Sequence, residues 1–355
     1  MDLVNIINGM KDKKIPWHIA SKMLNNRGFQ ASNGWENTIE KAKTYKENLE
    51  EVDIHGLIQD FKSNSMCGEK MVSFYHLDRE QIDILQNFFL NEKIDETIFS
   101  EFYPLPLPKS KINKQKHSAP KLTSVEKLTD GVAVVFCSIR NIETREPIHK
   151  NSINFGSEYS IDDYSSIIGV KKIKLQAYDV IWLPNEGNLI SLRTDFQKEY
   201  SQLHATEAQK TLRKTLEIGL KRKMGEPANL FPLIQKIYKN KEEGTVVELA
   251  FTTTTASNKH ERMRRRGKQE CLRREAFHDG GTKALKGQIE PYKIGVQWHP
   301  LEQKNYLSSP ELNIYATKKN IANDTNPIVS YAEIRKCIGM PDFNLIQDKI
   351  YHYLD

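Results

Sequence analysis

The sequence predicts an α+β protein: a helical N-terminal domain followed by a mixed, mainly antiparallel sheet domain with flanking helices. Three observations carry that expectation. The first hundred residues show apolar side chains at helical spacing, and the residues after 125 contain long runs of β-branched and aromatic residues. Between them, residues 104–124 hold four prolines and five lysines with no acid. Charge divides the chain in the same places, with residues 1–103 at net −5, 104–124 at net +5 and 125–258 near balance. The expected division is therefore an acidic helical domain over 1–103, an extended and solvated Pro/Lys-rich linker over 104–124, and an α+β domain over 125–355.

In chain order, Pro16 opens a helix that carries Ile19, Met23 and Leu24 on one face and stops at Gly28. A second helix is expected over 33–52. The pair resembles a helix-turn-helix in outline, but that outline is common and the segment is acidic, which repels phosphate. A short strand fits 69–75. Asp78 then caps an amphipathic helix to Asn91 whose face carries Ile82, Leu85, Phe88 and Phe89.

Beyond the tract, GVAVVFCSIRNI at 131–142 and the segment 170–183 read as strands, and residues 171–175 alternate polar with apolar. IWLPNEGNLISL places Pro, Asn and Gly between two apolar runs, the signature of a hairpin. Residues 196–224 become helical, with Leu203, Leu212, Leu216 and Leu220 at whole-turn spacing and a basic surface that includes Lys221, Arg222 and Lys223. A short helix over 228–241 and strands over 245–255 and 293–298 follow. Helices over 331–338 and 343–353 are expected to close the fold.

Composition excludes several classes. The chain is 38% hydrophobic and 28% charged, ordinary for a folded globular protein. No apolar run approaches the roughly 20 residues that span a bilayer, and the N-terminus lacks leader features, so a cytoplasmic protein without a membrane partner is expected. Cys67, Cys137, Cys271 and Cys337 lie far apart with no CxxC spacing, so reduced thiols are expected. No pair of His, Cys or carboxylate residues shows a recognised metal spacing, and neither a metal nor a cofactor is expected.

Gly295-Val296-Gln297-Trp298-His299-Pro300 resembles the catalytic-histidine segment of class I glutamine amidotransferases and their γ-glutamyl hydrolase relatives. The resemblance implies a histidine that activates a cysteine nucleophile. Here Leu301 separates the proline from Glu302, and no Gly-x-Cys-x-Gly elbow exists, so the segment is read as a strand ending in His-Pro. A carboxylate pair for a divalent-metal nuclease could come from Asp179 and Glu248 on their expected strands, although Ala250 stands where a following Lys belongs.

The strongest functional pointer is residues 259–274. They hold Lys259, Arg262, Arg264, Arg265, Arg266, Lys268, Arg273 and Arg274 against Glu261 and Glu270, net +6, which is the net charge of the whole chain. Six of its 14 arginines lie there, in a chain that otherwise prefers lysine. Arg offers a planar donor fork suited to phosphate, and a dense run of cations repels itself unless anions neutralise it. The expectation is a nucleic-acid-binding protein without intrinsic catalysis, contacting phosphates through this segment and through Lys221, Arg222 and Lys223. DNA is favoured over RNA because no RNP, KH or dsRNA-binding signature is present. The alternatives are the metal-dependent nuclease and an interaction module that docks an acidic protein surface, such as the net −5 segment of a second copy in a homo-oligomer.

Overall fold

The computed structural model describes residues 2–45, 52–149, 152, 164–264, 270–285, 287–299, 308–316 and 327–354. Its architecture is α+β: an N-terminal group of helices and one antiparallel sheet of ten strands with helices on its faces. The first helices are α1 (Leu3–Asp12), α2 (Trp17–Asn26), α3 (Gly34–Thr44) and α4 (Ile54–Cys67). Their apolar stripes meet in a core of Ile6, Ile7, Met10, Met23, Leu24, Phe29, Leu57 and Phe61. Asp2 caps α1 and Asp53 caps α4, each accepting from a backbone N–H of the first turn.

Strand β1 (Lys70–His76) follows, then α5 (Arg79–Asn91), whose Asp78 and Gln81 form the capping box that the sequence shows. Ile82, Leu85 and Phe89 are buried as expected. Short helices α6 (Ile98–Phe102) and α7 (Lys109–Lys114) lead to β2 (Lys121–Leu128), β3 (Gly131–Ile148), β4 (Ile167–Pro184) and β5 (Leu189–Asp195). The remaining elements are α8 (Gln202–Leu220), α9 (Phe231–Lys239), β6 (Thr245–Thr252), β7 (Asn258–Arg262), α10 (Ala276–Ala284), β8 (Glu290–Gln297), β9 (Glu311–Tyr315), β10 (Ala332–Arg335) and α11 (Met340–Leu354).

The strands run β2-β3-β4-β5-β1-β10-β9-β8-β6-β7 across the sheet. β1 joins the two halves, pairing antiparallel with β5 on one side and β10 on the other. Its alternation serves both faces: Val72 and Phe74 enter the core under α9 and α11, while Tyr75 packs beneath α5 and α8. The second face of β3 and β4 carries Ala133, Val135, Cys137, Val180 and Trp182 against Met66, Phe99, Leu107 and Ile112.

Three expectations differ from the structure. The segment 331–338 is strand β10 and not a helix, because Ala332 and Ile334 face the core while Glu333 and Arg335 face the other way, a period of two. Leu203 is 66% exposed, and α8 buries Ala205, Ala208, Leu212, Leu216 and Gly219 instead. The Pro/Lys-rich tract is not solvated throughout. Leu105, Leu107 and Ile112 are buried, and the Leu107 N–H donates to Gln176 Oε1 at 2.8 Å.

A buried charge cluster ties α1 to the sheet. Lys70 Nζ donates to Asp195 Oδ1 at 2.5 Å and Lys13 Nζ to Asp195 Oδ2 at 3.0 Å; Arg140 donates to Asp179 Oδ2 at 2.5 Å. Burial alone would push the Asp195 carboxyl up, but Lys13, Lys70 and the Tyr178 N–H outweigh it and hold it below its ordinary range.

Candidate nucleic-acid interface

The basic segment starts as a strand because of the hairpin before it. The β-branched run TVVELAFT makes β6, and a turn at Thr253–Ser257 reverses the chain: Thr253 N–H donates to the Ser257 carbonyl at 3.0 Å, and Ala256 takes the left-handed region at φ 58. β7 then pairs antiparallel with β6, Phe251 opposite Lys259 and Glu248 opposite Arg262. It is the last strand in the described order, so one of its edges has no strand partner there.

Side chains on β7 alternate. Glu261 faces α10, where its Oε2 lies 2.6 Å from His278 Nδ1, and His278 Nε2 lies 3.0 Å from the Tyr238 hydroxyl. Burial, with the Glu261 charge, pushes Tyr238 up. His260 and Arg262 face the other way, toward Glu248. That carboxylate is a hub: Lys293 Nζ donates to it at 2.6 Å, His260 Nε2 lies at 2.8 Å and Arg262 Nε at 3.8 Å. Burial alone would raise Glu248, but the bonds from Lys293 and His260 and the nearby cations hold it low. Lys259, His260, Arg262 and Arg264 are all exposed.

The same face continues as a polar surface across β8, β9 and β10. Gln297 and Asn313 donate to Glu311 at 2.7 and 3.0 Å, and Lys336 Nζ sits 2.5 Å from it. Arg335 bridges Glu333 and Glu69, each at 2.9 Å, and the Tyr315 hydroxyl donates to Glu333. Gln297, Glu311, Asn313 and Glu333 are nevertheless buried. Sequence reading missed this ladder, since its members are scattered over 69–336; the signal was the polar residue at every second place in three short strands.

The segment is anchored at both ends to β6. Met263 N–H donates to the Val247 carbonyl at 2.9 Å, and Val246 N–H points at Cys271 Sγ at 3.4 Å. Arg265, Arg266 and Lys268 lie outside the described residues. Leu272 is buried, and Arg273, 7% exposed, does not face solvent. Its guanidinium donates to the carbonyls of Ile237, Glu243 and Gly244 at 3.1, 2.8 and 2.7 Å and to that of Asn240. It therefore ties the end of α9 to the turn before β6, which leaves no guanidinium free for the expected phosphate contact. Arg274 is on the surface, 3.1 Å from Glu242.

Lys221, Arg222 and Lys223 lie at the end of α8. Lys221 takes the left-handed C-cap conformation at φ 53, Arg222 is exposed, and Lys223 pairs with Glu217 at 2.9 Å. Because α8 packs on β5, six places from β7, the two basic groups are separated by about 29 Å along the sheet at the usual ~4.8 Å strand spacing. The same separation keeps Asp179 on β4 from meeting Glu248 on β6. Asp179 is buried against Arg140 and the Asp195 N–H, so this pair cannot form a nuclease metal site. Among the described residues, no group of three His, Cys, Asp or Glu side chains is placed to hold a metal ion.

The His-Pro string also has a structural role here. Trp298 follows β8 and donates through Nε1 to Glu243 at 2.7 Å, and His299 Nδ1 lies 3.4 Å from Ser309 Oγ. Burial pushes the Cys67 and Cys137 thiols up to about 12, and raises that of Cys337, so these three are not nucleophiles in this fold. No helix of the described residues is long and apolar enough to cross a membrane. Compared with protein-family models, with curated proteins and with solved structures, the chain matches none.

Proposed function

We propose that this protein binds nucleic acid, DNA in preference to RNA, through the edge formed by β7 and the arginine-rich residues after it. The observation that supports this reading most is the set of exposed cations Lys259, Arg262 and Arg264 on and just after the edge strand β7, which is held to β6 at its end by the Met263 N–H. A rigid strand presents them without the ordering cost of a free tail. Arg265, Arg266, Lys268 and Arg274 extend the set in sequence. Glu248 and Glu242 offset part of this charge, through Arg262 and Arg274 respectively, so the contacts are positioning contacts to phosphate and not base readers.

Lys221, Arg222 and Lys223 form a separate surface that only a ligand spanning the sheet would reach. The test is the triple replacement of Arg264, Arg265 and Arg266 by Ala, assayed by fluorescence anisotropy on duplexes of unrelated sequence. Binding should weaken on all of them alike, by about tenfold or more for three lost phosphate contacts. Unchanged affinity, or a loss confined to one sequence, would refute the assignment.

A further inference from the structure

One large apolar side chain beside the β7 edge has no use inside the fold. Phe277, in the first turn of α10, is 79% exposed, more than any other large hydrophobic side chain among the described residues. Single exposed apolar residues are common on protein surfaces, so the exposure alone carries little. Its position carries more. Glu275 caps α10 by accepting from the His278 N–H at 3.0 Å. The His278 ring is buried, with Glu261 of β7 at 2.6 Å from Nδ1 and the Tyr238 hydroxyl of α9 at 3.0 Å from Nε2. Two other elements therefore fix the residue next to Phe277, and the phenyl ring is presented at a set place.

The surroundings of the ring are cationic and open. Phe251, directly opposite Lys259 in the β6–β7 register, has its ring centroid 5.7 Å from that of His278, so Lys259 leaves the strand on the α10 side. Arg274 precedes α10 and Lys283 lies in its last turn; both are exposed, each beside one acid, Glu242 and Asp279. One helical turn beyond Phe277, on the same face, stand Gly280 and Gly281. No atom of the described residues lies within 4 Å of where a Cβ would stand on either, so the flank of the ring is unscreened.

A fixed aromatic face beside a row of cations fits a polyanion that also carries flat apolar groups. Single-stranded nucleic acid supplies both, as phosphates and unpaired bases. In a duplex the bases are stacked on one another and closed to the ring, and a polyphosphate supplies charge without a flat surface. We propose that Phe277 is a stacking platform for an unpaired base, and that the β7 edge therefore prefers single-stranded nucleic acid to duplex. This rests on the nucleic-acid reading of β7: the cations hold the phosphates of either form, and the ring adds a contact that only an unpaired base makes. Stacking accepts any base, in keeping with contacts that position the strand and do not read its sequence.

Fluorescence anisotropy of the full chain with four probes of equal length tests this: a single-stranded DNA, an RNA of the same sequence, a DNA strand of abasic sites, and a duplex. Phe277→Ala should weaken binding of the single-stranded DNA and the RNA by about tenfold, the loss of one stacked base, and leave the abasic strand and the duplex within about twofold. DNA and RNA should lose alike, because stacking does not touch the sugar. Phe277→Trp keeps an aromatic face and should restore the affinity. The ring is at the surface, so both variants retain the fold. Replacing Arg264, Arg265 and Arg266 by Ala should instead weaken all four probes, which separates the two readings. No binding of any probe by the unaltered chain would overturn both. Unchanged single-strand affinity in Phe277→Ala, or an equal loss on the abasic strand, would overturn the stacking proposal alone.

Discussion

Two neighbours in sequence, Arg273 and Arg274, show how differently one side-chain type is used in this fold. Arg273 spends its donors on four carbonyls at the end of α9 and in the turn that leads to β6, whereas Arg274 stands on the surface beside Glu242. Arg273→Ala should leave those carbonyls unsatisfied and lower stability by about 2–4 kcal/mol, measured by urea unfolding. Its effect on nucleic-acid affinity, measured where the variant is folded, should be small. Arg262→Ala should do the reverse, reducing affinity with a stability change under about 1 kcal/mol, because its contact with Glu248 is long and half the side chain is in solvent. Equal stability losses in the two variants would contradict this division. The sequence could not separate them, since charge density counts an arginine without saying where its guanidinium points. Arg273 is drawn inward because the adjacent Leu272 is buried in the core.

Among elements, those that follow from local chemistry were legible: the Asp78-capped α5, the β4–β5 hairpin and the β6 strand all appear where their residues place them. What was not legible depends on partners distant in sequence. β10 is only four residues long and is a strand because β1 and β9 flank it. Leu105 and Leu107 alternate with prolines, which reads as a spacer until the core of α1–α4 and the face of β3 and β4 are present to receive them. The buried Lys70–Asp195 pair is of the same kind, joining the first residue of β1 to the last of β5. Lys70→Met should leave the Asp195 charge with Lys13 and the Tyr178 N–H, at a cost of about 3–5 kcal/mol by thermal or chemical unfolding, the usual size for breaking a buried pair. A loss below about 1 kcal/mol would show that the pair is not needed to hold β1.

At the scale of the whole molecule, acid and alkali both act on the core. The Cys67 and Cys137 thiols lie at about 12 in the fold, above the ordinary value of about 9. The unfolded chain therefore releases protons first, and stability should fall as pH rises from about 9 toward 12, by about 1 kcal/mol or more per thiol at pH 10. Asp195 is shifted downward, so its contribution is present above about pH 4 and is lost as pH falls through the folded value. Equal unfolding midpoints at pH 7 and pH 10 would contradict the thiol assignment.

The charge layout of the molecule bears on function in the same way. With Arg273 turned inward and the Lys221–Lys223 group about 29 Å away along the sheet, the proposed reading predicts about five phosphate contacts at the β7 edge. The most direct test is a salt titration of binding to duplex DNA, single-stranded DNA and RNA, with heparin as a polyanion control. For duplex DNA the log of the affinity should fall against log salt with a slope of about −4.5, and DNA should compete better than heparin at matched charge. An affinity independent of salt, or heparin competing as well as any nucleic acid, would contradict nucleic-acid binding at this edge.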